Sequence, residues 1–123
     1  MVDAYIFDAV RSPRGKGKKS GSLHEITALS LLTQQLEAIK NRNNLDTSKV
    51  DDIIMGCVSP VAGQGADIAR SAAITANYNQ TAAGVTVNRF CASGLEAVNM
   101  AASKVMAGMA DMTIGGGVEH MSR

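Results

Sequence analysis

Along the chain, short apolar runs alternate with longer stretches in which apolar side chains recur every three or four positions. Ala4 to Phe7, Ile53 to Cys57, Val85 to Val87 and Met112 to Ile114 read as strands. Between the first two, Ile26, Leu29, Leu32, Leu36 and Ile39 fall on one helical face, and Ser22 with Glu25 has the S-x-x-E form of a capping box. Asn41, Asn43 and Asn44 favour turns and are expected to end that helix. A second helix is predicted over Ala66 to Ala76, after the Gly63-Gln64-Gly65 turn, with alanines suited to close packing on a sheet. A third is predicted over Ala92 to Ala107. This order, βαβαβαβ, predicts an α/β fold: a parallel sheet flanked by helices and joined by right-handed crossovers.

Polar side chains in the third helix are confined to Ser93, Glu96, Asn99, Ser103 and Lys104, and small residues surround most of its circumference. Such a helix is normally buried on more than one side. A domain of this size can barely surround it, so an oligomer or further sequence is expected to cover it. Gly115 to Gly117 reads as a tight turn, and Val118 to Arg123 supplies no closing element, so the chain is expected to be incomplete. Met100, Met106 and Met109 read as pliable core. Glu96 and Asn99 read as structural polar groups that satisfy nearby backbone.

The 123 residues suit one domain, 1–123, and a formal charge of +1 provides no long-range field for nucleic acid or an anionic membrane. Without Trp, and with two Tyr and two Phe, the chain also lacks the aromatic platforms on which single strands stack, so no nucleic-acid partner is expected. Two cysteines outside any CxxC spacing and two histidines are too few soft ligands for a structural zinc site, so no metal is expected. No window has the roughly 18 to 20 uninterrupted apolar residues of a membrane span. Asp3 and Asp8 interrupt the N-terminal apolar run, which does not fit a secretory signal; a cytoplasmic location with reduced thiols is expected. Arg11 to Lys19 gathers five of the twelve basic residues with no acidic one. Its glycines and Pro13 suit an anion-binding loop, but it lacks phosphate-loop spacing, and the solvated surface loop is the weightier reading.

Cys91 stands between the strand at Val85 to Val87 and the third helix, at a helix N-terminus on the carboxyl side of the sheet. Unpaired N–H groups and the positive end of the helix dipole favour a thiolate there and can hold the oxygen of a tetrahedral intermediate. A lone cysteine is more commonly a small buried hydrophobe. That reading suits Cys57, at the end of its strand with no helix immediately behind it.

The string V-N-R-F-C-A-S-G-L-E-A-V, Val87 to Val98, resembles the nucleophile region of the thiolases, V-N-x-x-C-[AS]-S-G, without a gap. A-V-R-S-P-R-G-K at Ala9 to Lys16 is similar to the family's opening strand and loop, and G-G-G-V-E-H-M-S-R at Gly115 to Arg123 to its G-G-x-E-x-M-S motif. Q-G-A-D-I-A-R at Gln64 to Arg70 is similar to the segment before the family's second helix and favours the acetyl-CoA acyltransferase branch. His120 stands where many members carry a small residue. The resemblance implies the N-terminal half of a thiolase fold, with Cys91 as the nucleophile that carries the acyl-thioester and its backbone N–H in the oxyanion hole. It implies acyl-CoA and coenzyme A as substrates rather than cofactors, no further cofactor, and a homo-oligomer.

Thiolysis of a 3-oxoacyl-CoA, or the reverse Claisen condensation, is the reaction so implied. The family's G-H-P, C-x-G-G-x-G and N-E-A-F motifs do not occur here. His24, placed just inside the first helix, and His120 lack the G-H-P context, and Cys57 lacks that of the second cysteine. These 123 residues alone are therefore expected to be inactive. A non-catalytic thiolase-like interaction module and a β-ketoacyl synthase-type condensing enzyme are the alternatives.

Overall fold

A computed structural model describes residues 1–123. Its centre is a three-stranded parallel sheet in the order β2-β1-β3, with β1 at Asp52–Gly56, β2 at Ala83–Val87 and β3 at Thr113–Gly117. Helices α1 (Ala28–Arg42) and α2 (Ile68–Thr75) lie on one face and α3 (Ser93–Met106) on the other. Every residue of the central strand is buried. Its continuous apolar run follows from that place, since a middle parallel strand has no solvent face. Side chains alternate across the sheet. Ile53 and Met55 join a cluster of 13 buried residues with α1 and α2, whereas Ile54 meets Ala97 and Ala101 of α3 in a cluster of three, so the main core sits on the α1/α2 side.

The α3 face is thin because the helix backbone lies almost on the strands. A Cβ on Gly115 would come within 2.8 Å of Val98 Cα and 2.9 Å of the Ala97 carbonyl oxygen. Gly115 to Gly117 are therefore strand residues and not the tight turn expected, and β3 runs on to Gly117. Small side chains let helix and sheet approach. The outer side of α3 remains bare, with Leu95 67% exposed, and Met109 is exposed at the surface rather than packed as core.

Two further expectations give way. Ala4 to Phe7 pairs with no strand; Tyr5, Ile6 and Phe7 are 73%, 83% and 91% exposed. Three consecutive large apolar residues need cover on both faces of a strand, and nothing in these residues provides it. The capping box at Ser22 and Glu25 is not used: Thr27 caps α1, its hydroxyl accepting the Ser30 N–H at 3.0 Å. Gly21 to Ile26 is folded as turns instead, tied to the far end of the chain through the Leu23 carbonyl, and α1 begins where its stripe, from Ala28 through Leu32 to Leu36, reaches the core. At its other end Asn43 is the C-cap and Asn44 is left-handed, φ 45°, so the asparagines stop the helix as expected.

Candidate active site

With all three strands parallel, the segments leaving their carboxyl ends (57–67, 88–92 and 118–123) gather at one edge of the sheet. Open α/β sheets bind ligands at this edge. Cys91 lies on the second segment.

After β2 the chain makes a tight connection in which Phe90 is left-handed, φ 48°, and α3 begins at Ser93 with Ala92 as N-cap. That conformation costs a non-glycine residue about 1–3 kcal/mol and needs local support. Asn88 Oδ1 accepts the Phe90 N–H at 2.9 Å. Ser93 is 3% exposed; its hydroxyl accepts the Arg89 N–H at 2.8 Å and donates to the Phe90 carbonyl at 2.6 Å. The Ala92 and Ser93 N–H groups close onto the Arg89 and Phe90 carbonyls. Held this way, Cys91 is exposed, and its own N–H donates to no protein group. An accessible thiol beside a free N–H at the start of a helix can add to a carbonyl and hold the oxygen that becomes charged.

Cys57 has a different setting. It is 1% exposed, its N–H donates to the Val87 carbonyl at 3.0 Å, and burial, reinforced by the Glu119 carboxylate, pushes its thiol pKa up. A buried thiol that resists ionisation is a poor nucleophile.

Glu119 ties the three segments together. Its carboxylate accepts the Val58 N–H at 2.7 Å and the Gln64 amide at 3.0 Å. Gln64 also donates to the Ser59 carbonyl at 2.9 Å and accepts the His120 N–H. The Val58 carbonyl in turn accepts the Asn88 amide at 2.9 Å. Burial raises the Glu119 pKa, yet hydrogen bonds from Val58, Gln64 and Ser59 outweigh it and hold the carboxyl below its ordinary range. In the sequence, Glu119 and Asn88 are visible as motif positions without a task. The N-x-F spacing is the one local signal, since an asparagine often bonds the backbone two residues on.

Neither histidine bonds to Cys91. His24 precedes α1 instead of lying inside it, and His120 is 8% exposed. A carbonyl can only accept, so His120 Nε2 donates to the Leu23 oxygen at 2.9 Å. In the neutral ring Nδ1 then accepts the Ser122 hydroxyl at 3.3 Å, which accepts from His24 Nδ1 at 3.2 Å. His120 therefore anchors the last residues instead of disturbing them. Glu96 pairs with Arg89 at 3.2 Å, and Asn99 is exposed without a partner. Basic residues of the Arg11 to Lys19 loop are exposed, and part of the loop walls a cleft of about 330 Å³ that Cys91 does not line.

A family model described as "Thiolase, N-terminal domain" matches residues 4–123. The chain belongs to the thiolase family. This thiolase domain is 43% identical over 122 residues to a 3-ketoacyl-CoA thiolase of Shewanella loihica, covering 98% of this chain and 31% of that protein. A 3-ketoacyl-CoA thiolase of a Psychrobacter species is 41% identical over 119 residues, covering 97% and 30%. The crystal structure of the Bacillus anthracis acetyl-CoA acetyltransferase superposes with a TM-score of 0.72 at 30% identity, over 79% of this chain and 24% of that one. The thiolase domain thus spans about a third of the length of the curated relatives it matches. No helix in it is long and apolar enough to cross a membrane.

Proposed function

We propose that this thiolase domain carries the acyl-accepting cysteine of an acyl-CoA acyltransferase, with Cys91 as nucleophile. The observation that carries the reading is the exposed Cys91 thiol, beside its own unpaired N–H, on a strained turn at the carboxyl edge of a parallel sheet. In the proposed step, Cys91 Sγ gives up its proton to a base and adds to the thioester carbonyl. The carbonyl π electrons move onto oxygen, which the Cys91 N–H steadies. Collapse expels the coenzyme A sulfur, which takes a proton, leaving an acyl-cysteine and free coenzyme A. With a 3-oxoacyl-CoA the bond broken is instead the one between the α and β carbons. The acyl group passes to Cys91, and the acetyl-CoA carbanion is protonated.

The resemblance assigns the proton-moving groups to the G-H-P and C-x-G-G-x-G motifs, which the 123 residues do not contain. Turnover therefore belongs to the full-length protein in which this domain is joined to them, acting as a homo-oligomer. The names of the relatives support 3-ketoacyl-CoA as the substrate class.

The test is to incubate full-length protein with acetoacetyl-CoA, quench in acid and map adducts by peptide mass spectrometry. An acetyl group on Cys91, absent from Cys91→Ser and retained in Cys57→Ser, is expected. An adduct on Cys57, or none on either cysteine, would overturn the assignment.

A further inference from the structure

We infer that Glu119 is a positioning residue for Cys91, acting through Val58 and Asn88. Glu119 makes no hydrogen bond to Cys91 or to its turn. Its carboxylate fixes the peptide on the N-terminal side of Val58 by accepting that N–H at 2.7 Å. The peptide on the other side fixes Asn88, whose amide donates to the Val58 carbonyl at 2.9 Å. Asn88 then uses its remaining polar atom, Oδ1, on the N–H of left-handed Phe90, the residue before Cys91. Each link in this relay uses a different atom, and together they join all three segments at the sheet edge.

Regular structure cannot do this work. The segment that contains Val58 reaches α2 through one short 3-10 turn at Ala62–Gln64, with Ala62 and Ala66 left-handed, φ 49° and 54°, so side-chain clamps add to what its few backbone bonds hold. Glu119 is the clamp from β3. A carboxylate suits the place because it accepts on both oxygens: the Val58 N–H and the Gln64 amide, which have only hydrogens to offer, hold one each, and Ser59 donates to it as well. In Glu119→Gln one oxygen remains for Val58, but the new NH₂ faces the NH₂ of Gln64. Gln64 cannot turn over without losing the His120 N–H that its own oxygen holds.

The inference rests on Cys91 being the nucleophile, and the test separates the two. In full-length protein, the rate of Cys91 acetylation by acetoacetyl-CoA is measured for wild type, Glu119→Gln, Asn88→Ala and the double variant. Each single change is expected to slow acetylation about tenfold, within what a sub-ångström misplacement costs. Since Glu119 reaches the turn only through Asn88, the double variant is expected to be no slower than Asn88→Ala. Iodoacetamide, which needs no oxyanion hole, is expected to alkylate Cys91 within about twofold of wild type while Cys57 stays protected. Multiplying effects in the double variant, or wild-type acetylation in Glu119→Gln, would overturn the relay. Labelling of Cys57 in Asn88→Ala, which keeps the Glu119 charge beside that thiol, would overturn it too, because the sheet edge and not the turn alone would then have opened. Failure of wild type to acetylate Cys91 would instead remove the proposed function beneath it.

Discussion

Replacing Gly56 by alanine adds one methyl group at the most crowded contact between the sheet and α3. An ideal Cβ there would lie 2.3 Å from the Ser93 carbonyl carbon, 2.5 Å from its oxygen and 2.6 Å from the Gly94 nitrogen. Ordinary contact begins near 3.4 Å, so the first turn of α3 must retreat by about 1.1 Å. Nothing flexible can yield, since the obstacle is helix backbone and Gly56 belongs to the central strand, paired on both sides. The cost is expected toward the upper end of the roughly 1–3 kcal/mol that overpacking takes. Gly94→Ala is the control: a Cβ there meets nothing within 4 Å, and alanine in a helix is expected to be neutral or to add about 0.5 kcal/mol. Urea unfolding of the two variants beside wild type, followed by circular dichroism, reads the difference. Iodoacetamide labelling of Cys57, the residue that follows the strand, reports whether the displaced helix opens the sheet edge. A Gly56→Ala protein as stable as wild type, with Cys57 still protected, would refute the close-contact argument. So would a Gly94→Ala protein equally damaged.

Wild-type protein treated with limiting iodoacetamide near neutral pH is expected to be labelled at Cys91 before Cys57, because Cys91 is exposed while Cys57 is 1% exposed with its thiol pKa raised; peptide mapping showing the reverse order would contradict this. Tyr78→Phe removes a 2.7 Å bond to the Leu36 carbonyl and is expected to cost about 0.5–1.5 kcal/mol in denaturant unfolding. Burial moves the Tyr78 phenol from 10.0 to about 12, so the folded chain keeps a proton that the unfolded chain has lost. Stability is therefore expected to decline as pH rises from 10 through 12, and an equally steep decline in Tyr78→Phe would exclude this phenol as its source. The 123-residue chain by itself is expected to bind a hydrophobic dye and to self-associate through Tyr5, Ile6, Phe7 and Leu95, all more than half exposed. A compact monomer by sedimentation that leaves the dye dark would count against it.

The α/β class and the cores of α1, α2, α3 and all three strands were legible in the sequence because periodicity records which side chains must leave water. Ile53, Ile54 and Met55 form a continuous apolar run because a central parallel strand is buried on both faces. Cys91 was legible as a strand-to-helix residue for a similar reason: the change of period at Val87 places it there. Periodicity carries no information about what packs on a face. It could not tell that Ala4 to Phe7 would find no pairing partner, nor that Gly115 to Gly117 would extend β3, with Gly115 against α3, and not form a turn. Both depend on the distance between elements far apart in the chain. The relay at the sheet edge lay further out of sight, since Glu119, Val58 and Asn88 are separated by 61 and 30 positions. Their hydrogen bonds exist only once three parallel strands have brought their carboxyl ends to one side.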